Sequence, residues 1–311
     1  MAFEAKKYAY TPSIGTVIVG TGEKAAVLGG NHTLPFYSFD APAVHAPVIG
    51  MEIPDSGISA FSLPGLSDFY RGCSTPAEMA ERASGLAGVS FLCLHLLGAE
   101  PNGENRSVEE CVAIAVSVSE ASDLPLAILG CKNAEKDALV FAALSTALEG
   151  KNVLLLSAQE ENYQKIGALP GRQKLGAESA VDINLAKQLN VLLTQLGVPA
   201  DGIVMNAGSA AAGYGYEYVA STLERIRLAA LAQGDDLLQM PVITPVSSEV
   251  WAVKESQMSE EEMPEWGNPE ECGIEMEITT ASACLVSGSD AVILRHPASV
   301  RAIAAMIDAL V

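Results

Sequence analysis

Eight short apolar runs, separated by stretches with helical periodicity, constrain this chain more than any other feature. They fall at Val48–Ile53, Val89–Leu97, Leu124–Gly130, Asn152–Ser157, Gln173–Glu178, Gly202–Asn206, Pro241–Val246 and Ala291–Arg295. Each is short, apolar on both faces and rich in Val, Ile or Leu, as strands of a covered parallel sheet are. The gaps carry helix signals. Thr75-Pro76-Ala77-Glu78 and Ser107-Val108-Glu109-Glu110 are capping boxes, the first with proline at the first helical position. Apolar stripes follow at Val108, Cys111, Val112, Ala115 and Val118, at Leu139, Ala142, Ala143 and Leu144, and at Leu185, Leu189, Leu192, Leu193 and Leu196. Helical patterns at Tyr218–Leu231 and Pro297–Leu310 follow the sixth and eighth runs. Eight strand–helix units between residues 47 and 310 match the roughly 250 residues of a (β/α)8 TIM barrel. Six units or fewer would favour an open doubly wound sheet. The least regular parts are the first run, the fifth with its Gly176, and the acidic connection Glu255–Cys272 after the seventh.

Residues 1–46 stand apart from this pattern. Thr16–Gly20 and Ala25–Gly29 flank Thr21-Gly22-Glu23-Lys24, which reads as a β-hairpin. Gly29–Asp40 follows with aromatics and turn formers but no period, which suits a cover packed over one end of a domain. The expected organisation is an N-terminal hairpin and cover segment over 1–46 and one barrel over 47–311.

Composition narrows the function. The net charge is −20 with 18 Lys and Arg, so a phosphate backbone or an anionic membrane surface would be repelled. The apolar fraction is 49%, yet the longest uncharged run, Gly88–Ala99, falls well short of the roughly 20 residues of a membrane span. Lys6 and Lys7 are followed by no long apolar segment or cleavage pattern, so no signal peptide is expected and the chain reads as cytoplasmic. The cysteines at 73, 93, 111, 131, 272 and 284 form no C-x-x-C and no cluster spacing, and Cys93 and Cys111 lie in apolar patterns as small buried hydrophobes.

In a TIM barrel the working face is built from the loops after the strand C-termini. Here those positions hold mainly amides and hydroxyls, which grip a neutral polar ligand but make poor catalysts unless activated. Lys132 and Lys174 are poorly placed for a Schiff base, Asp182 suits the first turn of a helix, His95 a hydrogen-bonded core site, and His296 the cap of the last helix. The loop in Gly202–Tyr216 is built of Gly, Ala and Ser and runs into a helix at about Glu217. Its Gly213-Tyr214-Gly215-Tyr216-Glu217-Tyr218 lacks the third glycine of a dinucleotide fingerprint and follows the sixth strand instead of the first.

Gly29–Asp40, Pro47–Glu52, Gly176–Lys187 and Met205–Tyr216 resemble the small subunit of the corrinoid iron–sulfur protein, to which the delta subunit of the archaeal acetyl-CoA decarbonylase/synthase complex is related. The resemblance spans nearly the whole chain. It implies a TIM barrel in a heterodimer with a larger subunit that carries the [4Fe–4S] cluster and a cobalamin-type corrinoid. The implied role is to cover that corrinoid with the barrel mouth during methyl transfer. The donor would be methyltetrahydrofolate, served by a methyltransferase, and the acceptor acetyl-CoA synthase. A mouth rich in neutral hydrogen-bonding groups suits the amide side chains of a corrin. Predicted strand-end geometry then selects Asn102, Asn206, Gly208, Ser209, Thr244 and Ser247 as corrinoid-facing positions, with no catalytic residue and no metal ligand in this chain. Two other readings stay open: a stand-alone pterin-dependent methyltransferase barrel, and a purely structural subunit that docks partners through Glu255–Cys272. A lyase or aldolase barrel is a weaker third.

Overall fold

The hairpin is where the barrel begins. In the computed structural model, which describes residues 6–8, 10–57, 63–169 and 173–311, β1 (Thr16–Val19) pairs antiparallel with β2 (Ala26–Gly29), Thr16 opposite Gly29 and Val19 opposite Ala26. Val17, Val19, Ala26 and Leu28 are buried, and they pack with Phe91, Leu129, Leu156, Val204 and Ile293 in one apolar cluster. Those partners lie on barrel strands, so the hairpin fills the barrel floor. Its backbone is tied to the segments that enter the strands: Gly20 N–H donates to the Asn152 carbonyl at 2.8 Å, and Gly15 N–H to that of Gln239 at 2.6 Å. The Asn152 side-chain amide donates in turn to the carbonyls of Ile18 (2.8 Å) and Gly20 (2.9 Å). An eight-stranded barrel leaves an interior that side chains must fill; here the hairpin supplies the lowest layer.

Every predicted run is a strand. These are β3 (Val48–Pro54), β4 (Val89–His95), β5 (Leu126–Leu129), β6 (Leu154–Ala158), β7 (Lys174–Glu178), β8 (Ile203–Asn206), β9 (Ile243–Thr244) and β10 (Ala291–Leu294). They pair in parallel in the order β8-β7-β6-β5-β4-β3-β10-β9. A parallel bridge between Met205 and Val242, with Met205 N–H donating to the Pro241 carbonyl at 2.8 Å, brings β8 back to β9. The result is a TIM barrel. Alternate strand residues face inward: Phe91 and Cys93 on β4, Val204 on β8, Ala291 and Ile293 on β10. On β3 the inward Gly50 leaves room for the Phe91 ring; a Cβ there would lie 2.3 Å from it.

The helices α1 (Pro64–Phe69), α2 (Pro76–Ser84), α3 (Val108–Ala121), α4 (Ala134–Ala147), α5 (Tyr163–Gly167), α6 (Ile183–Gln195), α7 (Tyr216–Ala232), α8 (Val246–Val250), α9 (Pro269–Ser287) and α10 (Pro297–Leu310) cover the outside. Both predicted capping boxes form: Thr75 and Ser107 accept from the N–H groups of Glu78 and Glu110, whose carboxylates return to the cap N–H groups. Two stripes differ from expectation. Leu139 is 62% exposed while Val140, Phe141 and Leu144 are buried, because α4 is apolar nearly all round and its period is weak. Leu185 and Leu196 are also exposed, and α6 buries Ala186 and Asn190 beside Leu189 and Leu193. The connection after β9 is less irregular than its sequence suggests: α8 and two single helical turns lead into α9 at Pro269. Among the described residues no helix is long and apolar enough to cross a membrane.

Candidate functional site

With its floor closed by the hairpin, the barrel opens at the C-terminal ends of its strands. There the inward positions turn from apolar to polar. Glu52 on β3, His95 at the end of β4 and Arg295 just after β10 continue the inward rows of three neighbouring strands. Glu52 is fully buried, and both its oxygens are occupied. His95 Nδ1 lies 2.7 Å from Oε1, Arg295 Nη2 donates to Oε1 at 3.1 Å, and Arg295 Nε donates to Oε2 at 3.1 Å. Burial alone would raise the Glu52 pKa, but the Arg295 charge and the His95 hydrogen bond outweigh it and hold the carboxyl well below its usual range. His95 is thus a hydrogen-bonded core histidine, as its sequence context predicts.

A second buried carboxylate supports this corner. Glu277 of α9 accepts from the backbone N–H of Arg295 at 2.7 Å and of His296 at 3.2 Å, and from Trp251 Nε1 at 3.0 Å. Burial shifts its pKa upward. These bonds hold the chain leaving β10 against α9, so Glu277 sets where Arg295 stands. His296 caps α10 through its Nδ1, which accepts from Ala298 N–H at 3.1 Å, and its Nε2 lies 3.3 Å from Glu270. Burial lowers the His296 pKa. Beside β3, Asp55 accepts from Gly98 N–H at 3.1 and 3.0 Å and pairs with Arg106 at 3.2 Å.

The other side of the mouth is neutral and unsatisfied. Ser157 Oγ on β6, Ser179 Oγ just after β7, Asn206 Oδ1 at the end of β8 and Ser247 Oγ in α8 are buried atoms with no hydrogen-bond partner among the described residues. Asn206 is 2% exposed and Ser247 1%. Gly208 follows with φ +83°, and a Cβ there would lie 2.6 Å from Val181 Cγ2; Ser209 beside it is partly exposed. The small residues after β8 therefore let the loop fold close against the chain after β7. Two expected positions have hydrogen-bond partners within the chain. Asn102 sits in an exposed turn, its N–H and side-chain amide both donating to Glu100 Oε1. The Thr244 hydroxyl bonds that of Ser289 and lies beside Cys284 of α9, on the side of β9 opposite the inward Ile243.

The remaining candidates also have structural partners. Lys132 pairs with Glu249 at 3.0 Å, and Lys174 Nζ donates to the Asp201 carbonyl at 2.8 Å at the opposite, N-terminal end of its strand. Asp182 is the N-cap of α6, accepting from Asn184 and Leu185 N–H. Open cavities flank the mouth on both sides. One of about 560 Å³ lies between the loops after β5, β6 and β7, lined by Lys132, Gln159, Glu178, Ser179 and Leu189. Another, of about 640 Å³, lies beside α8 and α9 and reaches Trp251, Glu270 and Arg295. Sequence reasoning overlooked Glu52 and Arg295 as a site, although a charged residue inside one apolar run and another closing a second were visible signals.

The chain is thus a TIM barrel with a plugged floor and a polar, partly unsatisfied mouth, and its fold is that of the dihydropteroate synthases. Dihydropteroate synthase from Xanthomonas albilineans superposes with a TM-score of 0.60 at 15% identity, covering 95% of this chain and 98% of that one. The enzyme from Burkholderia cenocepacia gives 0.55 at 15% identity, covering 96% and 97%. At such identities the likeness is one of fold. In sequence, the family model "CO dehydrogenase/acetyl-CoA synthase delta subunit" matches residues 16–306. The acetyl-CoA decarbonylase/synthase complex subunit delta 2 of Methanosarcina acetivorans is 32% identical, covering 90% of this chain. The delta subunits of Archaeoglobus fulgidus and Methanothermobacter thermautotrophicus are 31% and 32% identical, covering 96% and 94% of this chain. The chain belongs to this delta-subunit family. It spans 65% of the length of the Methanosarcina acetivorans subunit, 68% of the Archaeoglobus one and 74% of the Methanothermobacter one.

Proposed function

We propose that this chain is the small subunit of a corrinoid iron–sulfur methyl carrier, its barrel mouth laid over a corrinoid held by a larger, [4Fe–4S]-bearing subunit. The observation that carries the reading is the set of orphaned neutral atoms on one arc of the mouth: Ser157 Oγ, Ser179 Oγ, Asn206 Oδ1 and Ser247 Oγ. A buried polar group without a partner costs about 1–3 kcal/mol. Four on one arc are best explained by a ligand that brings neutral hydrogen-bonding groups of its own, and the carboxamide side chains of a corrin are of that kind. Ser157, Asn206 and Ser247 would hold the edge of such a ring, with the low-profile backbone at Gly208 and Ser209 beneath it. When bound, the corrinoid supplies the cobalt that carries the methyl group; this chain's residues orient the ring and keep water from its face.

Membership of the delta-subunit family supports a place in a multi-subunit assembly. The partners we propose are the larger corrinoid subunit, a methyltetrahydrofolate methyltransferase and acetyl-CoA synthase. The test is to co-express the chain with a corrinoid iron–sulfur subunit and titrate hydroxocobalamin into each preparation. A one-to-one complex that binds tightly, beside an isolated chain that binds weakly, is the expected result. Tight stoichiometric binding by the isolated chain, or failure to form the complex, would refute it.

A further inference from the structure

One ion pair crosses the mouth from side to side. Counting round the sheet from β3, β5 is the third strand and β9 the seventh, so the two stand half a turn apart. Lys132 lies in the loop that leaves β5, and Glu249 in α8, which follows β9. Yet Lys132 Nζ is 3.0 Å from Glu249 Oε1, so the two side chains meet over the strand ends. Together they form a bar that divides the mouth in two. On one side stand β6, β7 and β8, with the buried Ser157, Ser179 and Asn206 atoms that have no partner among the described residues. On the other stand β10, β3 and β4, with Arg295, Glu52 and His95.

Both ends of the bar are fixed by the fold. Lys132 has φ +64°, in the left-handed region that a lysine rarely adopts. Asp137 holds this turn: its carboxylate accepts from Cys131 N–H at 2.9 Å and packs against Gly130, where a Cβ would lie 2.4 Å from it. Such strain persists only where the surroundings impose it, and it clusters at ligand clamps and switches. Glu249 rides on a helical turn whose Val246, Ser247 and Val250 are buried. The tips remain in water, with the side chains 49% and 31% exposed. An ion pair that exposed shifts an equilibrium by no more than about fivefold, so the bar can open.

We propose that Lys132 and Glu249 gate the mouth, admitting water and small groups to the neutral arc and excluding a flat ring until the pair parts. The inference rests on the corrinoid reading and adds a controlled entry to it. An eight-stranded barrel is just wide enough inside for side chains to fill, so half of its mouth has no room for a corrin. A ring held by its edge at Ser157, Asn206 and Ser247 extends across the line of the bar, and it reaches those buried atoms only once the bar has swung aside.

The test uses the full chain. Carbodiimide condenses an amine with a carboxylate in contact, losing water, and should link Lys132 to Glu249 in the wild type; peptide mass spectrometry reads the new amide. Lys132→Arg keeps a cation but offers no amine, and so controls for reaction elsewhere. In a Ser157→Cys background, the linked protein should react with N-(1-pyrenyl)maleimide at position 157 severalfold more slowly than the treated Lys132→Arg protein. Iodoacetamide, which is small, should label both alike. Lys132→Met, which cannot pair, should bind dicyanocobinamide about two- to fivefold more tightly than the wild type. Absence of an amide between 132 and 249 overturns the bar. Equal pyrene labelling of linked and control proteins, or slowing of both reagents alike, overturns its role as a size gate. Equal cobinamide affinities in Lys132→Met and wild type overturn the claim that the ring must break the pair. If the labelling difference holds and neither protein binds cobinamide, the gate stands and the corrinoid reading falls.

Discussion

Arg295→Met tests whether the charged corner of the mouth is built as described. The substitution keeps a long apolar stem but removes both hydrogen bonds and the opposite charge from a carboxylate that is 0% exposed. Removing one partner of a buried ion pair leaves an uncompensated charge and costs about 3–5 kcal/mol. The loss should appear in reversible urea denaturation at neutral pH followed by circular dichroism. Glu52→Gln combined with Arg295→Met removes the stranded charge and should recover most of the loss, leaving about 1–2 kcal/mol. Acid has a definite sign here. In the wild type the Glu52 pKa is depressed, so its contribution is present above the ordinary carboxylate range and fades as pH falls through the lowered value. In Arg295→Met burial is opposed only by His95 and raises the pKa, so the penalty is full at neutral pH and is relieved on acidification. The gap between the two proteins should therefore be widest near neutrality and narrow as pH falls. A gap below about 1 kcal/mol at neutral pH, or one that does not change with pH, would refute the reasoning.

Gly50→Leu should destabilise the barrel by about 1–3 kcal/mol, because the space beside Gly50 is filled by the Phe91 ring. Adding Phe91→Ala should restore part of the loss, and thermal denaturation of the pair reads the coupling. Gly208→Val combines a positive φ with a clash at Val181 and should cost about 1–3 kcal/mol locally. Limited proteolysis after β8 should speed up while the far-ultraviolet spectrum is unchanged; equal cleavage rates would mean the loop tolerates a side chain.

How much was legible beforehand depends on which residues carried the signal. The eight runs could be read because a strand covered on both faces is apolar on both faces, and no other soluble element repeats that so often. The helix starts at Thr75 and Ser107 were legible because capping is local: Glu78 and Glu110 lie three residues from their caps. Helix α9 was not. Its buried face includes Gly273, Glu277 and Thr280, residues with no hydrophobic period. Gly273 lies against the Trp251 ring, and Glu277 answers N–H groups on Trp251 and on the chain after β10. Partners so distant in sequence leave no local trace.

The same division separates what each level decided about the protein. The sequence alone determined a barrel with an N-terminal hairpin, the neutral polar arc of its mouth and the family, since periodicity, capping and motif identity are properties of neighbouring residues. Tertiary structure decided that the hairpin is the barrel floor, that Thr244 faces α9, and that Glu52, His95 and Arg295 meet. Strand order, not sequence distance, sets which inward rows adjoin: β3 and β10 are 243 residues apart at Glu52 and Arg295 but neighbours in the sheet.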